Sequence, residues 1–135
     1  MDEARPFLDT NVLLYLLSAD LAKANRAEQL LAAGGVISVQ VLNEFAHVAS
    51  RKLGMTWPEI REVLGTARAV CRVEPLTLAT HERGLAMAER YGFTIYDGLI
   101  LAAASLAGCT VLHTEDLQDG QKIEELTISN PFAAG

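Results

Sequence analysis

The feature that most limits how this chain can fold is an alternation: short apolar runs are followed, again and again, by longer stretches with apolar residues at helical spacing. Successive parallel strands need a crossover between them, and a helix is the usual one. The alternation therefore selects an α/β architecture of three layers, a short central parallel sheet with helices on both faces. It begins in RPFLDTNVLLYLL, where an apolar run is broken once by a carboxylate, Asp9. A strand over 6–8 and a helix over 12–17 put Asp9 at a strand's carboxyl end. In open α/β sheets the ligand crevice lies outside those ends, so a carboxylate there faces the usual place for chemistry. Capping of the following helix is the structural alternative for Asp9 and Asn11.

The rest of the chain continues the pattern. Asp20 is expected to cap a helix to Ala33 that Gly34 and Gly35 stop, followed by a buried strand over 36–38 and a helix over 39–53. Thr56 and Glu59 form a capping box for a helix to Val70. A strand over 72–76 contains Pro75, which argues for an edge or a strand end. Thr80 then caps a helix to Tyr91, in which Met87 is core filler. From Leu99 to Ala107 the sequence is apolar on every side, the mark of a buried helix, and Asp97 stands at its amino end. A strand over 110–113, a polar loop over 114–120 and a last strand over 127–129 complete the reading.

With 135 residues, half of them apolar or aromatic, the chain suits one domain over 1–135 and can bury a core unaided. Its formal charge of -6 repels phosphate backbones and anionic membranes, so any nucleic-acid site must be local. Cys71 and Cys109 lack metal-site spacing and are expected to be buried free thiols. The start MDEARPF is acidic where a leader would be basic, and no run is long enough to span a membrane, so a cytoplasmic protein is expected.

Four acids share a topological property. Asp9 and Asp116 follow strands, Asp97 opens a helix, and Glu44 lies on the flank of the apolar stripe Val41, Leu42, Phe45, Val48, Ala49, two turns into a helix that leaves a strand's end. Carboxylates about 4 Å apart repel by roughly 4 kcal/mol at an effective dielectric near 20. Several such pairs rival the ~5 to 15 kcal/mol stability of a small domain. Convergence therefore requires protons or a divalent cation, and oxygen-only ligands select Mg²⁺ or Mn²⁺ over zinc.

LDTNVLLY with Asp9 and Asn11, SVQVLNEF with Glu44, YDGLILAAA with Asp97 and HTEDLQDG with Asp116 resemble, in order, the four acidic motifs of PIN-domain ribonucleases, above all the VapC-type toxins of bacterial toxin-antitoxin modules. The resemblance implies a PIN fold and a Mg²⁺- or Mn²⁺-dependent endoribonuclease, usually a homodimer, silenced by a cognate antitoxin. It implies that Asp9, Glu44, Asp97 and Asp116 hold metal directly or through water, with Asp119 a rival for the fourth place. By the same likeness Asn11 and Thr114 orient the acids, with Ser38 and Gln40 as weaker candidates for that role.

Arg51, Lys52, Arg68, Arg72, Arg83 and Arg90 are candidate phosphate contacts, none of them singled out. Two other classes compete. A haloacid-dehalogenase-type phosphatase expects a second Asp two residues after the first, where Asn11 stands, and a Lys near the late acids, where Lys122 is the only one. A PIN-like module without catalysis, binding partners only, would have lost an acid, and none of the four motifs has.

Overall fold

The computed structural model describes residues 5–133; the acidic start at 1–4 lies outside them. In chain order the elements are β1 (Phe7–Leu8), α1 (Thr10–Tyr15), α2 (Leu21–Ala32), β2 (Val36–Ser38), α3 (Val39–Arg51), α4 (Trp57–Val70), β3 (Arg72–Glu74), α5 (Leu78–Tyr91), α6 (Ile95–Leu106), β4 (Val111–His113), β5 (Lys122–Ile123) and β6 (Leu126–Ser129). One sheet runs in the order β3-β2-β1-β4-β6-β5. Every pairing is parallel except that of β5 with β6.

The strand order carries the functional information. The chain steps outward from β1 through β2 to β3, then returns to lay β4 on the other side of β1. Right-handed crossovers put α1 to α4 on one face and, because the direction reverses, α5 and α6 on the other. The crevice between β1 and β4 is therefore a topological switch point, where ligands of doubly wound sheets bind. Leu8 pairs with His113 at that crevice, so the residues that follow them, Asp9 and Thr114, emerge side by side.

Burial explains why such short strands hold. Phe7, Leu8, Ile37 and Leu112 are fully buried, and such side chains each contribute on the order of 1.5–3 kcal/mol. Helix α6 is buried from Gly98 to Ala104, as its uniformly apolar sequence requires. It crosses α5 very closely: a methyl group on Gly98 would stand 2.3 Å from the Gly84 carbonyl oxygen, so only glycine fits, and the crossing fixes the turn that carries Asp97.

Several boundaries shift by one or two residues from the sequence reading, α1 running over Thr10–Tyr15 instead of 12–17, and four differences have a local reason. Helix α5 begins at Leu78 because Thr77 is the cap and Thr80, expected there, sits three residues inside and bonds back to the Thr77 amide. Helix α6 begins at Ile95 under a Thr94 cap, which places Asp97 inside its first turn. Strand β3 stops at Glu74, just before Pro75, and is the sheet's edge, as the proline implied. Strand β5 was not anticipated: its hairpin turns through Glu124, which holds a left-handed φ of 55° in the absence of the glycine or asparagine that marks such turns. The Arg83 guanidinium grips the Glu124 carboxylate at 2.6 Å and bonds the Ser105 hydroxyl at 2.8 Å, anchoring that turn to α5 and α6.

Candidate active site

The site grows from the end of β1. Asp9 caps α1, its Oδ1 accepting the Thr10 amide at 2.7 Å. The Asp9 backbone N–H donates to the His113 carbonyl at 3.0 Å, extending the β1–β4 ladder by one residue. The Thr114 hydroxyl then donates to Asp9 Oδ2 at 2.8 Å. The Thr114 oxygen itself accepts from the Asn11 amide nitrogen at 3.3 Å and from the Asp116 backbone N–H at 3.1 Å. Both of its acceptor positions are filled, so its single proton is committed to Asp9. Asn11 also donates to Asp116 Oδ2 at 3.3 Å. Capping and clustering are thus not alternatives for Asp9: one oxygen does each.

Glu44 joins from α3. The Thr10 hydroxyl donates to its Oε2 at 2.8 Å, and the Gln40 amide, one turn earlier on the same helix, donates to its Oε1 at 3.2 Å. Asp97 joins from the first turn of α6, where its backbone N–H donates to the Thr94 hydroxyl at 3.1 Å. Depth varies across the set: Asp9 is buried, Glu44 and Asp97 are half-buried, and Asp116 is exposed.

The electrostatics tie the four together. Burial raises Asp9 from 3.8 to about 7, the charges of Asp116 and Glu44 push the same way, and hydrogen bonds from Thr10 and Thr114 oppose them. Burial also raises Asp97, helped by the charges of Asp116 and Glu44 and opposed by Thr94. Among the described residues the ion pairs are Arg72–Glu74 and Arg83–Glu124, so no side-chain cation neutralises these acids. Among the same residues no three acids, histidines or cysteines are already spaced as a metal chelate. Asn11 Oδ1 is a buried acceptor without a partner in this neighbourhood.

The remaining candidates fall elsewhere or serve other ends. Asp119 spends Oδ1 on the Asn130 amide at 2.8 Å, where it ties down the end of β6, and Asp116 is the loop acid that enters the network. The Ser38 hydroxyl caps α3 by accepting the Val41 amide at 3.3 Å, so its bond goes to the helix start and not to an acid. Among the candidate phosphate contacts, Arg72 is held by Glu74 and Arg83 by Glu124, whereas Arg51, Lys52 and Arg68 stand exposed. Thr10 is the residue that sequence reasoning missed. Its only signal was a β-branched residue at the first position of a helix, between two polar residues already singled out.

A comparison with family models matches residues 7–122 to the PIN domain. Among solved structures, a toxin-antitoxin complex from Klebsiella pneumoniae is 23% identical with a TM-score of 0.71, over 96% of this chain and 99% of that chain. DNA-bound VapBC from Salmonella typhimurium is 19% identical with a TM-score of 0.69, over 96% and 99%. VapC20 of Mycobacterium tuberculosis, a sarcin-ricin loop cleaving toxin, is 22% identical with a TM-score of 0.63, over 82% and 88%. A comparison with curated proteins gives no match. These structural likenesses carry the fold, and the family model covers well over half of the sequence. The chain belongs to the PIN domain family.

Proposed function

We propose that the chain works as one PIN domain whose acidic cluster makes it a Mg²⁺-dependent endoribonuclease, with Mn²⁺ as the alternative ion, and that it is the toxin of a toxin-antitoxin module. The observation that carries the reading is the linkage of Asp9, Glu44 and Asp116, drawn from three separate elements, by Thr10, Asn11 and Thr114, with Asp97 feeling the charges of Glu44 and Asp116. A cluster this charged without a side-chain cation suits a divalent ion. Its donors are hard oxygens, and the unpartnered Asn11 Oδ1 is an acceptor that an ion's hydration shell can satisfy. Asp9, Glu44, Asp97 and Asp116 would hold the ion directly or through water. When bound, it supplies Lewis acidity to a phosphodiester and lowers the pKa of water.

The chain's own residues set the conditions for that chemistry. Asp9, poised near neutrality, gives up its proton readily once positive charge enters the crevice. Thr114 keeps a hydrogen bond on Asp9 and so favours the ionised form. Asp97 lies in the first turn of α6, where free amides and the helix dipole favour an anion. Exposed Asp116 marks the rim from which a strand of RNA enters, and buried Asp9 marks the floor. Local neutralisation of the acids lets a phosphate approach although the molecule carries -6.

The neighbours' toxin-antitoxin assemblies support a cognate antitoxin as partner, and the likeness of the acidic motifs to VapC-type toxins supports an RNA substrate and a second copy of the chain in a homodimer. Among the described residues no helix is long and apolar enough to cross a membrane. The test is incubation of purified protein with total RNA and mapping of the ends produced. Discrete internal cuts that require Mg²⁺ or Mn²⁺ and cease in EDTA are expected; intact RNA in the presence of either ion would refute the assignment.

A further inference from the structure

We infer that Thr10 is a positioning residue for Glu44, acting with Gln40 as a two-sided clamp on that carboxylate. The inference rests on the proposed reading of the acids as a cation site and names what sets the geometry of one of them.

Glutamate is a long side chain with several free torsions, and on the half-exposed flank of α3 the helix backbone alone does not aim it at the crevice. Two hydrogen bonds do. Thr10 fixes Oε2 at 2.8 Å and Gln40 fixes Oε1 at 3.2 Å. Gln40 lies four residues earlier on α3, so it braces Glu44 along the helix, whereas Thr10 reaches it from a different element 34 residues away. Both clamping residues are buried, at 7% and 8% exposure. A buried hydroxyl must find a partner, and the bond that Thr10 makes goes to Glu44 and not to the helix backbone. A β-branched residue at the first position of a helix adds nothing to helix formation, so its value lies in that bond.

The same residue also holds Asp9, through its backbone N–H at 2.7 Å. Thr10 therefore sets the distance between an acid at the end of β1 and an acid on α3. The clamp leaves room for a ligand: a carboxylate offers about four lone-pair positions, and the two bonds occupy one on each oxygen.

The experiment is Mn²⁺ binding to purified full-length protein by isothermal calorimetry, with folding checked by circular dichroism, for wild type, Thr10→Ala, Thr10→Ser and Gln40→Leu. Residues that orient metal-holding side chains typically alter affinity about 10- to 100-fold when removed. Thr10→Ala is expected to weaken Mn²⁺ binding by about that factor, and Thr10→Ser, which also lacks the methyl group but keeps the hydroxyl, to restore it to within about threefold. Gln40→Leu is expected to weaken binding by a smaller factor. Equal affinity in Thr10→Ala and wild type, or equal weakening in Thr10→Ala and Thr10→Ser, would overturn the clamp while leaving the cation site in place. Should Thr10→Ala fail to fold, Gln40→Leu decides, since unchanged affinity there overturns the clamp as well. Absence of Mn²⁺ binding by wild type would overturn the reading beneath it.

Discussion

Asp97→Asn protein is expected to cleave RNA at least about 10³-fold more slowly than wild type while keeping its melting temperature within a few degrees. The substitution preserves the shape of the side chain and removes one negative charge from the crevice. A unit charge at about 4 Å is worth roughly 4 kcal/mol at an effective dielectric near 20, and each ~1.4 kcal/mol of lost transition-state stabilisation is tenfold in rate. The fold is spared because the bond from the Asp97 backbone amide to the Thr94 hydroxyl, which starts α6, survives the substitution. The test is single-turnover cleavage of an RNA oligonucleotide spanning a mapped site. A rate within tenfold of wild type would remove Asp97 from the machinery.

Asp9→Asn carries the second large effect, and here the expected change in stability is a gain. Burial raises the folded-state pKa of Asp9 to about 7, above the ordinary 3.8 that the unfolded chain retains. The folded state thus holds this proton more tightly than the unfolded state does. Stability falls as pH rises from about 4 through about 7, and above that range the fold bears the full cost of a buried carboxylate. That cost is at most about 4 kcal/mol. Asparagine removes it, but its amide nitrogen faces the Thr114 oxygen, whose acceptor positions are filled, so roughly half of the gain is forfeited. In EDTA, Asp9→Asn is expected to exceed wild type by about 2 kcal/mol at pH 8, roughly 5 to 10 °C in melting temperature, and to fall below it by about the same amount near pH 4, where the wild-type carboxyl is protonated and only the cost of the misplaced amide remains. Thermal melts across pH 4–8 measure it. A constant difference across that range, or a less stable mutant at pH 8, would contradict the picture of an uncompensated buried charge. Mg²⁺ should narrow the gap at pH 8, because it stabilises the form that binds it.

The fold was legible in the sequence because binary patterning and stop signals agreed along most of the chain. Gly34, Gly54 and Gly92 end their helices where a left-handed residue was needed, and the apolar stretch after Asp97 read as buried because no polar face interrupted it. The start of α5 slipped because it is set by reciprocal bonds between Thr77 and Thr80, which resemble each other as caps. The β5 hairpin was invisible because Arg83, distant in sequence, holds a turn that carries no turn residues of its own.

The candidate site was legible in part. Asp9, Asp97 and Asp116 stand out because each follows or opens an apolar element, and strand order alone brings β1 and β4 together. What a linear reading cannot rank is the bonding between elements. Ser38 and Thr114 look alike as small polar residues at strand ends, yet one hydroxyl is spent on a helix amide and the other on Asp9. Asp116 and Asp119 differ by three positions in one loop, and only the position of Asn11 tells which of them faces the crevice. Thr10 escaped notice because its role depends on Glu44, which lies on another helix.

Anomalous scattering from crystals soaked in MnCl₂ shows whether the four acids hold a cation. A manganese peak is expected in the crevice between the ends of β1 and β4, in contact with Asp9, Glu44, Asp97 or Asp116 directly or through water. An empty crevice at saturating Mn²⁺, or ions confined to other surfaces, would contradict that role for the acids.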